Sequence, residues 1–340
     1  MQRLTRGCAG QMLSNVAVII RSVGERTEAL CTHLVKQQVP ESHVVVIHER
    51  PFSQAVRRSF EIGLDFGLDW TLCVDADVLI REGAITALIQ AAADLPETTF
   101  TISGIMVDKL LGHTRVGGGH LYRTQLCENA LQFISESEAE IRPETFVKTQ
   151  MAERGYPYIV FDSLLIAIHD FEQYFSDIYR KAIIHTKKHA TQMPYASAMW
   201  QRLMSVDQDY RIALWGYRLG KAFDGAVRID RDIFPEHIDT LLRLAGIEEK
   251  RSLTMNSWDP GLPERVIAQY VPPPEYLIWS RLRSLRKRRL GRLRAAITSI
   301  GPWRAIPWLV GGHIQAAGES MQRWATRGRG GSFLQGMDKV

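Results

Sequence analysis

The chain has 340 residues, 45% of them hydrophobic and 23% charged, with 26 Gly and 14 Pro. Those proportions suit a folded globular protein and exclude a collagen-like, low-complexity or disordered polyelectrolyte chain. The net charge of +5 is uneven: Tyr276 to Val340 carries 13 Lys and Arg against only Glu319 and Asp338, so the body is acidic and the tail basic, which points to an anionic partner for the tail.

In chain order, Val16 to Ile20 is a short apolar run and predicts a buried strand. Thr27 to Gln37 places Leu30 and Leu34 one turn apart and predicts a helix. Val44 to Ile47 is a β-branched strand, and Gln54 to Phe66 a helix with Val56, Phe60 and Leu64 on one face. Trp70 to Val74 is a third strand, Glu82 to Ala93 a third helix, and Phe100 to Met106 a fourth strand. Strands apolar on both faces and spaced by helices imply a mostly parallel, Rossmann-like sheet with helices on both faces. Gly117, Gly118 and Gly119 mark a tightly turned loop before His120. Pro143 to Glu153 predicts a helix, Tyr158 to Ile168 a strand ending at His169 and Asp170, and Phe171 to Ile184 and Ala196 to Leu219 two helices. Pro272, Pro273 and Pro274 form a stiff break.

No apolar run is long enough to span a bilayer, and Gly7 to Ser14 is too polar for the core of a signal peptide. Cys8, Cys31, Cys73 and Cys127 form no CxxC and read as small apolar fillers in a reducing, cytoplasmic setting.

Ligands of open parallel sheets bind at the carboxyl ends of the strands. The third strand ends in Asp75-Ala-Asp77. Two hard oxygen ligands that leave positions open for phosphate suit Mg²⁺ or Mn²⁺. Such an ion would offset the charge that develops on a departing diphosphate.

The segments VAVIIRSVGERTEAL, VVVIHERPFSQAVRRSFEIGLDFG and WTLCVDADVLI, in that order, resemble the nucleotide-sugar-binding half of a GT-A-type, family-2-like glycosyltransferase. The resemblance covers roughly residues 15–170. It implies a GT-A fold with a mainly helical C-terminal extension, and transfer of a sugar from a nucleoside diphosphate donor to a hydroxyl acceptor. It also implies that Asp75 and Asp77 hold the metal and the donor diphosphate, and that Arg21, Ser22 and Glu25 sit near the nucleotide. Relatives often carry an Asp for the base after strand two; here His48 and Glu49 stand there, so Glu49 is the candidate substitute. By the same resemblance Glu144, opening a helix, is the preferred general base of an inverting enzyme, Asp207 is a competing base, and His169 is a third metal ligand. His185 and His189, four apart, have a weaker metal spacing, and His120 is a candidate acceptor contact.

Two rival readings fit the same residues. An apolar strand followed by DxDxV also opens haloacid-dehalogenase-like phosphatases, with Asp75 as nucleophile; against this, two strand–helix units precede the motif and no downstream acid pair follows. The other is an inactive transferase-like scaffold on a membrane. Residues 281–294 hold eight Arg or Lys and no acid, with Leu282, Leu285 and Leu293 forming a partial apolar stripe. With Trp303 and Trp308 beyond, this suits a segment lying on anionic lipid at the inner face of the cell membrane, where a glycan or glycolipid acceptor of envelope polysaccharide synthesis would be found. Nucleic acid is disfavoured because the acidic body offers no basic face. The expected organisation is an N-terminal extension (1–14), the transferase domain (15–235, its nucleotide half ending near 110), a helical segment and Pro-rich linker (236–275), a basic amphipathic membrane-surface segment (276–326) and a disordered tail (327–340).

Overall fold

A computed structural model describes residues 13–134, 142–225 and 235–284. The expectations for residues 1–12, for 285–294 of the basic segment, for Trp303 and Trp308 and for 327–340 lie outside the described residues. The chain divides into two units, Met1–Tyr276 and Leu277–Val340; the site lies wholly in the first. Of the second, residues 277–284 are described; they are helical, with Leu277, Ile278 and Leu282 exposed.

The first unit opens with β1 (Val16–Arg21), α1 (Glu28–Lys36), β2 (Val44–Ile47), α2 (Phe52–Phe66), β3 (Trp70–Asp75), β4 (Val78–Ile80) and α3 (Ala84–Ala93). It continues through β5 (Thr101–Asp108), β6 (His113–Arg115), β7 (Gly119–Arg123), α4 (Cys127–Leu131), α5 (Pro143–Glu153) and β8 (Tyr158–His169). A helical part follows: α6 (Phe175–Lys188), α7 (Met193–Leu203), α8 (Gln208–Ala222), α9 (Pro235–Leu244) and α10 (Leu262–Gln269). The sheet order is β2-β1-β3-β7-β5-β8-β4, with β6 on β5. β1, β2 and β3 are mutually parallel and β5 is parallel to β8, while β7 runs antiparallel between the two groups. Five of the eight strands therefore share one direction, giving the α/β fold class expected from the sequence.

Strand alternation decides how the two faces are covered. Val16, Val18 and Ile20 of β1 and Leu72 and Val74 of β3 pack with Leu30 and Leu34 of α1 and Ile85 and Leu88 of α3. Ala17 and Ile19 point the other way, as does Cys73, toward the face where α2 lies with Val56 and Phe60. Fully burying a Leu, Ile or Val contributes about 1.5–3 kcal/mol, so a strand buried on both faces is held at every position. The described cysteines, Cys31, Cys73 and Cys127, are buried thiols within this packing.

Several elements differ from expectation. β4, β6 and β7 are short and were not distinguished from loop by pattern; β7 owes its place to antiparallel pairing with β3 and β5. The helix expected over 196–219 is two. α7 stops at Leu203, and Asp207 starts α8 as its N-cap, accepting a hydrogen bond from the Asp209 amide at 2.9 Å. The helix expected from Phe171 begins at Phe175, after Asp170 and Glu172 take positive φ values of 64° and 58°. Within 236–275, Leu262 and Val266 pack on the sheet core, and Glu264 pairs with Arg81 at 2.8 Å.

α6 lies against α8 with Ile178, Tyr179, Ala182 and Ile183 in one apolar cluster with Ile212 and Ala213. Gly216 permits that closeness, since a Cβ there would stand 2.3 Å from the Tyr179 carbonyl oxygen. The packing turns Lys181 away from α8, toward the strand ends.

Candidate functional site

The strand directions gather one edge of the sheet. β1, β3, β5 and β8 end there in Arg21, Asp75, Asp108 and His169, and the registers pair Arg21 with Asp75 and Asp108 with His169. β4 starts at the same edge, with Val78 opposite His169, so Asp77 enters it as well. Gly118 closes the edge from β7: its φ is +59°, a Cβ would meet Val78 at 2.4 Å, and its carbonyl oxygen accepts from the Asp75 amide at 2.8 Å. A side chain there would push into the turn that separates the two aspartates.

Asp75 and Asp77 are separated by that turn and face different partners. Arg21 Nε donates to Asp75 Oδ1 at 2.8 Å and Nη1 to Glu144 Oε1 at 3.0 Å, with the Phe52 ring 4.9 Å from the guanidinium carbon. Burial, reinforced by Asp77 and Glu144 and opposed by Arg21, pushes the Asp75 carboxyl up to about 6. Asp77 instead lies with His169 and Asp170: among the described residues, these three form the group whose ligand atoms lie within 4.8 Å of one another. Burial alone would raise Asp77, but the Lys181 ammonium and His169 hold it well below the usual carboxylate range. The expected ligand set of Asp75, Asp77 and His169 is therefore not gathered as such; Asp170 stands where Asp75 was expected.

His169 is oriented by a carboxylate beneath it. Its Nδ1 hydrogen-bonds Asp108 Oδ2 at 3.0 Å, which leaves Nε2 toward Asp77, 3.5 Å from Oδ2. A carboxylate on the far nitrogen is the usual way a ligating imidazole is fixed. Asp108 is itself fully buried and paired with Arg115. Asp170 takes its left-handed backbone at this point, a conformation Asp tolerates better than most residues. Its amide donates to the Asp77 carbonyl at 3.3 Å, so both acids hang from one short link. Asp77 Oδ1 and Asp170 Oδ2 are buried with no hydrogen-bond partner. One carboxylate oxygen without a partner, and a second whose near neighbour is His169 Nδ1 at 3.0 Å, fit a hard divalent cation beside the imidazole.

Glu144 is buried at the start of α5. Its Oε1 accepts from Arg21 and, at 2.6 Å, from Tyr122, while Oε2 faces His120 at 3.4 Å and Lys148 at 3.9 Å. Burial would raise its pKa, but Arg21, His120 and Lys148 hold it well below the usual range. A proton taken from an acceptor would enter a pocket already lined by donors. The arrangement suits holding Arg21 better than receiving a proton. His120 lies beneath this cluster, between Ser103 and Lys148, and burial with the Lys148 charge brings it down to about 3; it is inside the packing, not at an open face. Asp207 caps α8 and pairs with Lys109 at 2.9 Å, so its carboxylate has a structural use.

At the end of β1, the buried Ser22 hydroxyl lies 2.8 Å from Glu25 Oε2 and also reaches Glu28, which His48 contacts at 3.0 Å. Glu49 is exposed beside them. His185 and His189 have ring centroids 5.1 Å apart at the end of α6, and among the described residues neither belongs to the metal-capable group. Close by, burial and the charges of Arg115 and Arg142 bring the Lys188 ammonium down to about 8.

Asp108, Arg115, Tyr122, Lys148, Asp170 and Lys181 were not singled out from sequence. Asp108 and Asp170 could have been, since Asp108 ends β5 and Asp170 directly follows the last residue of β8, two strands of the common direction. The basic residues carry no such positional signal.

No protein-family model matches the sequence, and no curated protein matches it. Among solved structures, the chain is similar to a glycosyltransferase involved in glycosylation of the major capsid of PBCV-1, at 12% identity over 45% of this chain and 93% of that one, with a TM-score of 0.31. It is also similar to a mannosyltransferase from Pyrobaculum calidifontis in complex with GDP-Man and Mn²⁺, at 12% identity over 67% of this chain and 80% of that one, with a TM-score of 0.35. Likenesses this partial decide nothing about the chemistry of this chain, which is read from its own side chains.

Proposed function

We propose that the protein is a GT-A-type glycosyltransferase that uses a nucleoside diphosphate sugar and a divalent cation, Mn²⁺ or Mg²⁺, and passes the sugar to a hydroxyl acceptor. The observation that carries this is the buried Asp77–His169–Asp170 group, with Asp77 Oδ1 unpartnered and Asp170 Oδ2 facing only His169 Nδ1, at the carboxyl edge of an α/β sheet. These three residues would hold the ion, which when bound offsets charge on the leaving diphosphate. Asp108 keeps His169 Nε2 turned toward the ion's place. Asp75 would remain on the rim of the same cleft, with Arg21 fixing its carboxylate and Glu144 fixing Arg21 from behind. Ser22, Glu25 and Glu49 border the place where the nucleoside would lie, as hydrogen-bond acceptors for ribose or base.

The acceptor reading rests on the sequence of 281–294, a basic segment suited to anionic lipid; 285–294 lies outside the described residues. Among the described residues no helix is long and apolar enough to cross a membrane. Flotation with anionic vesicles, comparing the full chain with one ending at Pro274, tests this part; equal binding would remove it.

The experiment for the main reading is thermal unfolding with a panel of nucleoside diphosphates, each with and without Mn²⁺. A ligand at about 100 times its Kd adds ~2.7 kcal/mol, or several degrees for a unit this size. The expected result is a Mn²⁺-dependent shift with one nucleotide that Asp77→Asn abolishes. No shift with any nucleotide would overturn the reading.

A further inference from the structure

Lys181 sits on the carboxylates that a divalent cation would need. Its Nζ donates to Asp77 Oδ2 and to Asp170 Oδ1, and its side chain is 12% exposed. Each aspartate therefore gives one oxygen to this ammonium, while its other oxygen, Asp77 Oδ1 or Asp170 Oδ2, is buried without a hydrogen bond. Asp170 Oδ2 does lie 3.0 Å from His169 Nδ1, but that nitrogen's hydrogen bond goes to Asp108. The pocket is thus built around positive charge and half-filled by the chain's own.

An ammonium and a divalent ion cannot share that space. Two cations bridging the same pair of buried carboxylates repel strongly, because little water screens them. The two basic groups at the pocket differ in how readily they can leave. Arg115 is tied to Asp108, which is fully buried and which also orients His169. Lys181 reaches the acids on a flexible four-carbon stem from α6, a helix anchored by its opposite face on α8. A stem with that many rotatable bonds can re-place its ammonium more readily than a planar guanidinium held in its fork geometry.

Building on the reading of Asp77, His169 and Asp170 as a cation site, we propose that Lys181 is a resident counter-ion that the divalent cation displaces. In the metal-free protein it closes the acidic pocket. Cation binding and release of Lys181 are then one event, and the cation's affinity is set by competition with a group of the protein itself.

Two measurements on the full chain test this. The first is Mn²⁺ binding, by calorimetry and by loss of the free-ion EPR signal, to wild type, Lys181→Met and Asp77→Asn. Displacement predicts that Lys181→Met binds Mn²⁺ tighter by roughly tenfold or more, and that Asp77→Asn loses the site. The second needs no variant: pulsed acetylation of wild type, read by mass spectrometry, with and without saturating Mn²⁺. Lys181 should be protected in the metal-free protein and become labelled about tenfold faster with Mn²⁺. Equal or weaker Mn²⁺ binding by Lys181→Met, or a Lys181 that stays protected with Mn²⁺ bound, would overturn displacement while leaving the cation site standing. Absence of binding by wild type and Lys181→Met alike would remove the cation site itself, and displacement with it.

Discussion

Arg21 is the group whose removal should be felt most. Its side chain is 3% exposed and joins Asp75 and Glu144, from β3 and α5, at 2.8 and 3.0 Å. Arg21→Met keeps most of the stem against Phe52 but takes the guanidinium from two carboxylates, leaving Glu144 with Tyr122, His120 and Lys148. Breaking a buried ion pair by removing one partner costs about 3–5 kcal/mol. Glu144 has 11% of its side chain exposed and meets that condition, whereas Asp75 has 27% exposed and can recover water. The expected loss is therefore at the lower end, ~3 kcal/mol, with Glu144 responsible for most of it. Urea unfolding measures this directly, and the double variant Arg21→Met/Glu144→Gln locates the cause. With that charge neutralised, the double variant should lose less than the sum of the two single variants, by about 0.5–3 kcal/mol of coupling. Arg21→Met within ~1 kcal/mol of wild type, or a double variant that is simply additive, would refute the claim that Arg21 neutralises Glu144.

Glu144 should also make the fold acid-sensitive. Its folded pKa is depressed, so its contribution is present above the ordinary carboxylate range and is lost as pH falls through and below it; Glu144→Gln should flatten that part of the stability–pH curve, and an unchanged slope would sink the assignment. Gly216→Ala should destabilise by about 1–3 kcal/mol in thermal or urea unfolding, because the new methyl meets the Tyr179 carbonyl oxygen and Ala182 Cβ at 2.3 and 2.9 Å; a neutral result would mean that α6 and α8 can separate cheaply. Trp200→Phe removes the 2.7 Å hydrogen bond to the buried Leu110 carbonyl and should cost about 1–3 kcal/mol in the same assay. Lys188, brought down to about 8, should be among the fastest-labelled lysines near neutral pH in a pulsed amine-labelling experiment, and a rate like that of exposed Lys187 would contradict its desolvation.

The parallel part of the sheet was legible because its signal is local. Val16–Ile20, Val44–Ile47 and Trp70–Val74 are apolar in every residue or nearly so, and a strand covered on both faces needs that wherever it sits. β7 has no such signature: Gly119-His-Leu-Tyr-Arg123 becomes a strand because β3 and β5 offer it two edges at once. The break between α7 and α8 was written in the sequence, as Asp207 two residues before Asp209, but an acid-x-acid pair reads equally as a cap or as a catalytic opening. The 2.9 Å bond from the Asp209 amide shows that the capping geometry is used.

The site divides along the same line. Strand-end residues can be found one element at a time, because the carboxyl edge of a parallel sheet is fixed by topology, and Arg21, Asp75 and His169 stand at such ends, with Asp77 two residues on; the roles expected of them came from the family resemblance. Their pairing was not reachable. Whether Asp75 or Asp170 completes a ligand set with Asp77 and His169 depends on which way a two-residue turn throws its side chains and on where Arg21 places its guanidinium. The counter-charges are harder still. Lys181 is separated from Asp77 by 104 positions, and it reaches the site because Ile178, Tyr179, Ala182 and Ile183 bury the opposite face of α6. In the sequence it is one basic residue among several on an amphipathic helix. Acids at an active edge are placed by the sheet; the cations that balance them are placed by whatever helix packs across it, and only the packed structure says which lysine that is.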